Sequence, residues 1–146
     1  AKYFQRIPKI IIVEPDRADC VLKSIESKKL KKIKIKKESI MGGMSCNEMS
    51  YIPWQILKKT SNYCVSVSDK NVAKTIAMLK DKKLSKNAII GGECSTPGII
   101  SLIGICNNSY IKKLTEINEK SNVLIIGCEG NADIKLYKQL LSKGRK

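Results

Sequence analysis

The chain has 146 residues, 42% of them hydrophobic, with 28 lysines and arginines against 13 acidic residues and a formal net charge of +15. That length makes one domain or most of one, able to bury roughly 70% of its unfolded surface, and the hydrophobic content excludes a disordered chain. Histidine is absent, which excludes catalysis by a histidine base, and six cysteines without a C-x-x-C pair argue against a zinc site.

At the start of the chain, Ala1–Arg6 has no apolar segment of the kind a signal peptide needs. Ile10–Val13 is a β-branched run closed by Pro15 and predicts a buried parallel strand. Asp16 is placed to cap the following helix, with Ala18, Val21, Leu22 and Ile25 on one face. Lys28–Lys37 alternates isoleucine with lysine and predicts a surface strand, isoleucines inward and lysines in water. The other reading of that run is a patch for a polyanion. Two features argue against nucleic acid. Only Arg6, Arg17 and Arg145 can make arginine's bidentate contacts, and aromatics are 5% of residues, too few for stacking platforms. The lysines form a solvated face, or offset acidic regions of a longer protein.

Ser39–Pro53, with Met41, Met44 and Met49, predicts an ordered loop or short helix. Pro53 then sits in the first turn of a helix through Lys59. Tyr63–Ser68 predicts a strand, and Asp69 the cap of a helix over 70–80 with Val72, Ile76 and Leu79 buried. Thr96 and Pro97 open a helix whose isoleucines surround it, so it is expected to be deeply buried. A helix over 109–120, a third strand over 122–126, and a final helix capped by Asn131 complete the chain. In that last helix Ile134, Tyr137, Leu140 and Leu141 share one face.

Strands alternating with helices predict an α/β fold, a mostly parallel sheet with helices on both faces. Two glycine-punctuated turns stand out, Gly91–Gly98 after the apolar Ala88–Ile90 and Gly127–Asp133 after Val123–Ile126. Ligands of such sheets sit outside the carboxyl ends of strands. Each turn carries a glutamate and a cysteine, Glu93 with Cys94 and Cys128 with Glu129, which points to a binding site. The alternative is that Gly127 and Gly130 are turn glycines with positive φ and that Glu129 answers a helix dipole. No apolar run approaches the ~20 residues of a membrane span, and free thiols fit a cytoplasmic protein.

Ile12–Cys20, Ser39–Glu48, Trp54–Leu57 and Tyr63–Asp69 together resemble the C-terminal part of diaminopropionate ammonia-lyase, a fold-type-II pyridoxal-phosphate enzyme. Glu93 falls on the family's Gly-Glu-Ser-Gly turn, Gly127–Asp133 on its Ser-Thr-Glu-Gly-Asp-Thr-Asp, and Tyr137 also fits. The resemblance covers 1–146 as the C-terminal portion of the family's large domain. It implies a pyridoxal 5'-phosphate lyase that converts 2,3-diaminopropionate to pyruvate and ammonia, acting as a homodimer without nucleic-acid or membrane partners. The alternative is a diverged, non-catalytic homologue that serves as an assembly or complementing partner.

The family's Schiff-base lysine, its phosphate-binding glycine loop and its catalytic base lie upstream of the matched part, so the resemblance assigns no catalytic residue and no metal ligand to this chain. It assigns one wall of the cofactor pocket: Glu93, Cys94, Gly127 and Cys128. The family's small hydroxyl residues facing the pyridine nitrogen are replaced here by Gly127 and Cys128, and its serine after the turn glutamate by Cys94. Cys20 and Cys46 fall near the family's active-site entrance and are candidates for a disulfide, or else two reduced thiols.

Overall fold

Two β-branched runs lie side by side at the centre of the fold. The structure is a computed structural model and describes residues 8–146; the signal-peptide reading of Ala1–Arg6 falls outside them. Strand β1 (Ile11–Pro15) pairs in parallel with β2 (Tyr63–Val67), from Ile11 opposite Tyr63 to Pro15 opposite Val67. Parallel neighbours need a long crossover. Here it contains helix α1 (Cys20–Ser27), a loop with a 3-10 turn at Gly42–Met44, and helix α2 (Tyr51–Thr60). Beyond β2 come a 3-10 turn at Asp69–Asn71, α3 (Val72–Lys80), a 3-10 turn at Glu93–Ser95, α4 (Pro97–Cys106), α5 (Ser109–Thr115) and α6 (Ile134–Gly144). The molecule is thus α/β with a parallel sheet, as expected, but the sheet has two strands among the described residues, not three. Among the described residues, 122–126 join no ladder.

Local chemistry shows why several helix starts differ from the expected ones. Helix α1 begins at Cys20, and the exposed Asp16 does not cap it. Glu14, 7% exposed at the end of β1, does so from outside the helix. Its Oε1 accepts the Val21 amide at 2.9 Å and its Oε2 the Leu22 amide at 2.8 Å. A strand carboxylate thereby satisfies first-turn amides that have no partner inside the helix. Asp69 does not cap α3 either. It accepts from Arg17 Nη1 at 2.6 Å, Ser39 Oγ at 2.6 Å and the Ile40 amide at 3.2 Å, and so ties the 38–41 segment to the end of β2. The first turn after β2 is held instead by Ser68 Oγ, which accepts from the Lys70 amide. At α6 the cap is Asp133, whose Oδ1 accepts the Leu136 amide at 2.9 Å, not Asn131.

Lys28–Lys37 is irregular, not a strand, although Ile33 and Ile35 are half-buried and the lysines exposed as the alternation predicted. Helix α5 stops at Thr115, where Glu116 takes a left-handed backbone (φ 61°). Helix α4 buries Ile100 and Ile105 but leaves Ile99, Leu102 and Ile103 half-exposed, so it is covered on one side only.

The core gathers Met41, Val67, Val72, Ala73, Ile76, Cys94, Ile100, Tyr137 and Leu140. The α3 stripe is buried as expected, with Val72 at 0% and Ile76 at 1% exposure, and α6 lies along it, burying Tyr137 and Leu140 while Ile134 stays exposed. The approach is close enough that a Cβ on Gly144 would sit 2.0 Å from the Ala73 carbonyl oxygen.

Candidate functional site

The two turns singled out in the sequence meet in space. Glu129 is the clasp. Its Oε2 accepts the Cys94 amide at 3.0 Å, and its carbonyl accepts the Gly92 amide at 3.0 Å and the Ser95 hydroxyl. Ser95 Oγ in turn accepts the Glu129 amide at 3.1 Å. A glycine is required opposite the clasp, since a Cβ on Gly92 would lie 2.2 Å from the Gly130 carbonyl oxygen. No described glycine has a positive φ. Gly127 and Gly130 are therefore not left-handed turn residues. Gly127 is small because Ser95 lies against it, with a Cβ there only 3.3 Å from Ser95 Oγ.

Beside this clasp runs a cleft of about 460 Å³. Its walls are apolar, from Leu79, Ile90, Ile99, Leu102 and Ile125 among others, and its polar floor is Ser95, Gly127 and Glu129. An apolar cleft with a few convergent polar groups has the form of a small-molecule site. Of the four expected pocket residues, Gly127 lines this cleft. Glu93 is half-buried in the 3-10 turn behind it, and Cys128 is exposed, with Sγ 4.0 Å from the Cys94 carbonyl. Cys94 is buried with its sulfur against Gly43, toward the core. Burial first, then the hydrogen bond and charge of Glu129, push its thiol up to about 12.

The second thiol cluster surrounds Glu14. Cys20 Sγ lies 3.7 Å from Oε1 and Cys64 Sγ 3.8 Å from Oε2. Burial and then the Glu14 charge push Cys20 up to about 11 and Cys64 to about 12. Cys20 and Cys46 are both free thiols in this structure, Cys20 buried and Cys46 exposed, and Cys46 is near enough to contribute to the Cys20 shift. Sequence reasoning missed the linking roles of Asp69 and Glu14. Asp69 stood in a matched segment, but its partners lie 29 to 52 residues away along the chain.

No protein-family model matches the chain. Diaminopropionate ammonia-lyase of Escherichia coli K12 is 29% identical over 138 residues, covering 92% of this chain and 35% of that protein. The enzyme of Salmonella typhimurium LT2 is 26% identical over 150 residues, covering 99% of this chain and 37% of that one. The E. coli enzyme in complex with an aminoacrylate-PLP azomethine reaction intermediate superposes with a TM-score of 0.79 at 28% identity, over 94% of this chain and 35% of the other. This chain is similar to diaminopropionate ammonia-lyase over nearly its whole length. It spans about a third of the length of the curated relatives it matches, and corresponds to their C-terminal part. Maize serine racemase, at 18% identity and a TM-score of 0.71, shares the fold. The chain thus has the α/β fold of the fold-type-II pyridoxal-phosphate enzymes.

Apolar side chains make up most of the cleft's lining. No lysine lines the cleft. Its one hydroxyl side chain, Ser95, is already engaged by Glu129 in both directions.

Proposed function

We propose that this chain forms one wall of a pyridoxal 5'-phosphate site in a lyase that takes ammonia from 2,3-diaminopropionate, the remaining walls coming from polypeptide that the chain does not span. The observation that carries this reading is the Glu129–Ser95 clasp. It brings together the two turns whose sequences resemble those of diaminopropionate ammonia-lyase and opens them on one apolar cleft. The cofactor, when bound, supplies the electron sink for elimination.

The chain's own residues position and shield. Gly127, with Ser95 and Glu129, forms the floor, where a missing side chain lets a flat ring approach closely. Ile99, Leu102 and Ile103 keep water from that face, and Glu129 holds the two turns in register. Catalytic groups are assigned to the other part of the assembly, and the whole is a cytoplasmic homodimer acting on a small amino acid.

The test is co-expression with the part of the E. coli enzyme outside the matched stretch. The pair is expected to release ammonia and pyruvate from 2,3-diaminopropionate, and Gly127→Val to weaken cofactor retention. A pair that assembles, holds the cofactor and leaves the substrate untouched would sink the assignment. Cys20 and Cys46 belong to the same reading as a bridge at the entrance, formed on oxidation. Titration of the oxidised, denatured chain is then expected to find two thiols fewer than in the reduced chain, and an unchanged thiol count would remove the bridge.

A further inference from the structure

The seven lysines of Lys28–Lys37 are all exposed, while Leu30, Ile33 and Ile35 between them are half-buried. In sequence this alternation reads as an edge strand whose lysines ward off sheet-to-sheet pairing. Among the described residues the run is no strand and edges no sheet, so that role has nothing to protect. The run is nevertheless held in place. The Lys29 amide donates to the Ser24 carbonyl at 3.2 Å, the Lys31 amide to Ser24 Oγ at 2.9 Å, and the Ile33 amide to the Asn47 carbonyl at 2.8 Å. Ser24 itself is fully buried. Nearby acidic groups leave most of the charge uncompensated. Glu26 pairs with Lys23 at 3.1 Å and Glu38 accepts from Ser45. Among the described residues only Lys32 of the seven has an acidic partner, Glu48 at 3.9 Å. A groove of about 950 Å³ lies alongside, lined by Lys32 and Lys34 together with Ser45, Asn47 and the two engaged carboxylates, Glu38 and Glu48. Lysines are almost never buried unpaired, so an adjoining apolar layer would not cover this face. The run lies between two segments that resemble diaminopropionate ammonia-lyase, Ile12–Cys20 and Ser39–Glu48, and belongs to neither.

We infer that Lys28–Lys37 binds the phosphate backbone of single-stranded nucleic acid without regard to sequence. Lysine meets phosphate as a point charge, and such contacts supply essentially all of non-specific binding. The scarcity of arginine and aromatic side chains removes base readout and stacking but leaves phosphate contacts untouched. An irregular segment has neither the helix nor the two-stranded ribbon that enters a duplex groove, whereas a flexible strand can lie along it. Ser45 and Asn47 add polar side chains of the kind that bond phosphate oxygens. A bilayer fits less well, since the apolar residues of the run are half-buried and not free to insert. The inference is independent of the cofactor site and of the activity proposed above.

Fluorescence anisotropy of the full chain with labelled oligothymidylate, and with a mixed-sequence single strand of equal length, tests this. Both are expected to bind alike at low salt, with log K falling by about 0.7 per phosphate contact for each tenfold rise in salt. Combining Lys29→Gln, Lys31→Gln, Lys34→Gln and Lys36→Gln weakens binding by on the order of tenfold or more and flattens the salt slope. Removing the same charge elsewhere, with Lys113→Gln, Lys120→Gln, Lys135→Gln and Lys138→Gln, weakens it by less than about twofold, since these contribute only a long-range field. A second measurement uses the wild type alone. Acetylation of lysines, read by mass spectrometry, slows across 29–36 when oligothymidylate is bound and is unchanged at Lys113 and Lys138. Absence of binding at low salt overturns the inference, as does a preference between the two strands. Equal weakening by the two sets of substitutions overturns it too, because net charge alone then suffices. So does an unprotected run, or tighter binding to phosphatidylserine–phosphatidylcholine vesicles than to either strand, which would make a membrane the partner.

Discussion

Asp69 ties together three groups that lie far from it in the chain. It accepts from Arg17, Ser39 and the Ile40 amide and so holds the segment around buried Met41 against β2. Hydrogen bonds to a charged group contribute more than neutral ones, so Asp69→Ala is expected to cost about 2–3 kcal/mol. A urea-unfolding midpoint checks it, and a loss below about 0.5 kcal/mol, the range of an ordinary surface change, would reduce Asp69 to a surface residue. Glu14 gives a pH signature. Burial raises its carboxyl above the usual 4.5 despite its two backbone amides. The folded chain keeps that proton to higher pH than the unfolded chain. Its stabilising contribution is therefore full below the ordinary carboxyl range and lost as pH rises through the raised value. Glu14→Gln has no such proton to lose, so the variant gains on the wild type as pH rises above the ordinary carboxyl range. A stability difference flat with pH would contradict this. The thiols divide as well. Cys46, Cys106 and Cys128 are exposed, while Cys20, Cys64 and Cys94 are pushed to about 11 to 12. Ellman's reagent is expected to find three fast and three slow thiols in the reduced native chain. A fast Cys94 would mean that the 93–95 turn opens.

At the scale of elements, the parts legible in the sequence are those whose cause is local. A β-branched run specified β1, alternation specified β2, helical spacing specified the α3 stripe, and Pro97 marked the start of α4. Caps and pairings were not legible, because they depend on partners far along the chain. Glu14 displaced Asp16 as the cap of α1, and Lys28–Lys37 and 122–126 have strand patterns yet join no ladder among the described residues. The candidate site was legible as two turns, yet which side chains face the cleft was not. Cys94 and Glu93 share a 3-10 turn that sends the thiol to the core and leaves Ser95 and Gly127 at the floor. The joint between the turns should be sensitive to bulk. Gly92→Ala places a methyl group 2.2 Å from the Gly130 carbonyl oxygen. It is expected to cost about 1–3 kcal/mol and to speed exchange at the Cys94 amide. Wild-type exchange there would show that Glu129 does not hold the turns together.

As a whole, the molecule combines a well-packed centre around α3 and α6 with an apolar flank at 89–90 and 123–126 that water covers poorly. Among the described residues no helix is long and apolar enough to cross a membrane. The most direct measurement is gel filtration of this chain with pyridoxal phosphate, alone and as the co-expressed pair. The pair is expected to carry the cofactor through the column at one per chain, and the chain alone to carry none. Stoichiometric cofactor on the chain alone, lost on mutating a single lysine, would contradict the account.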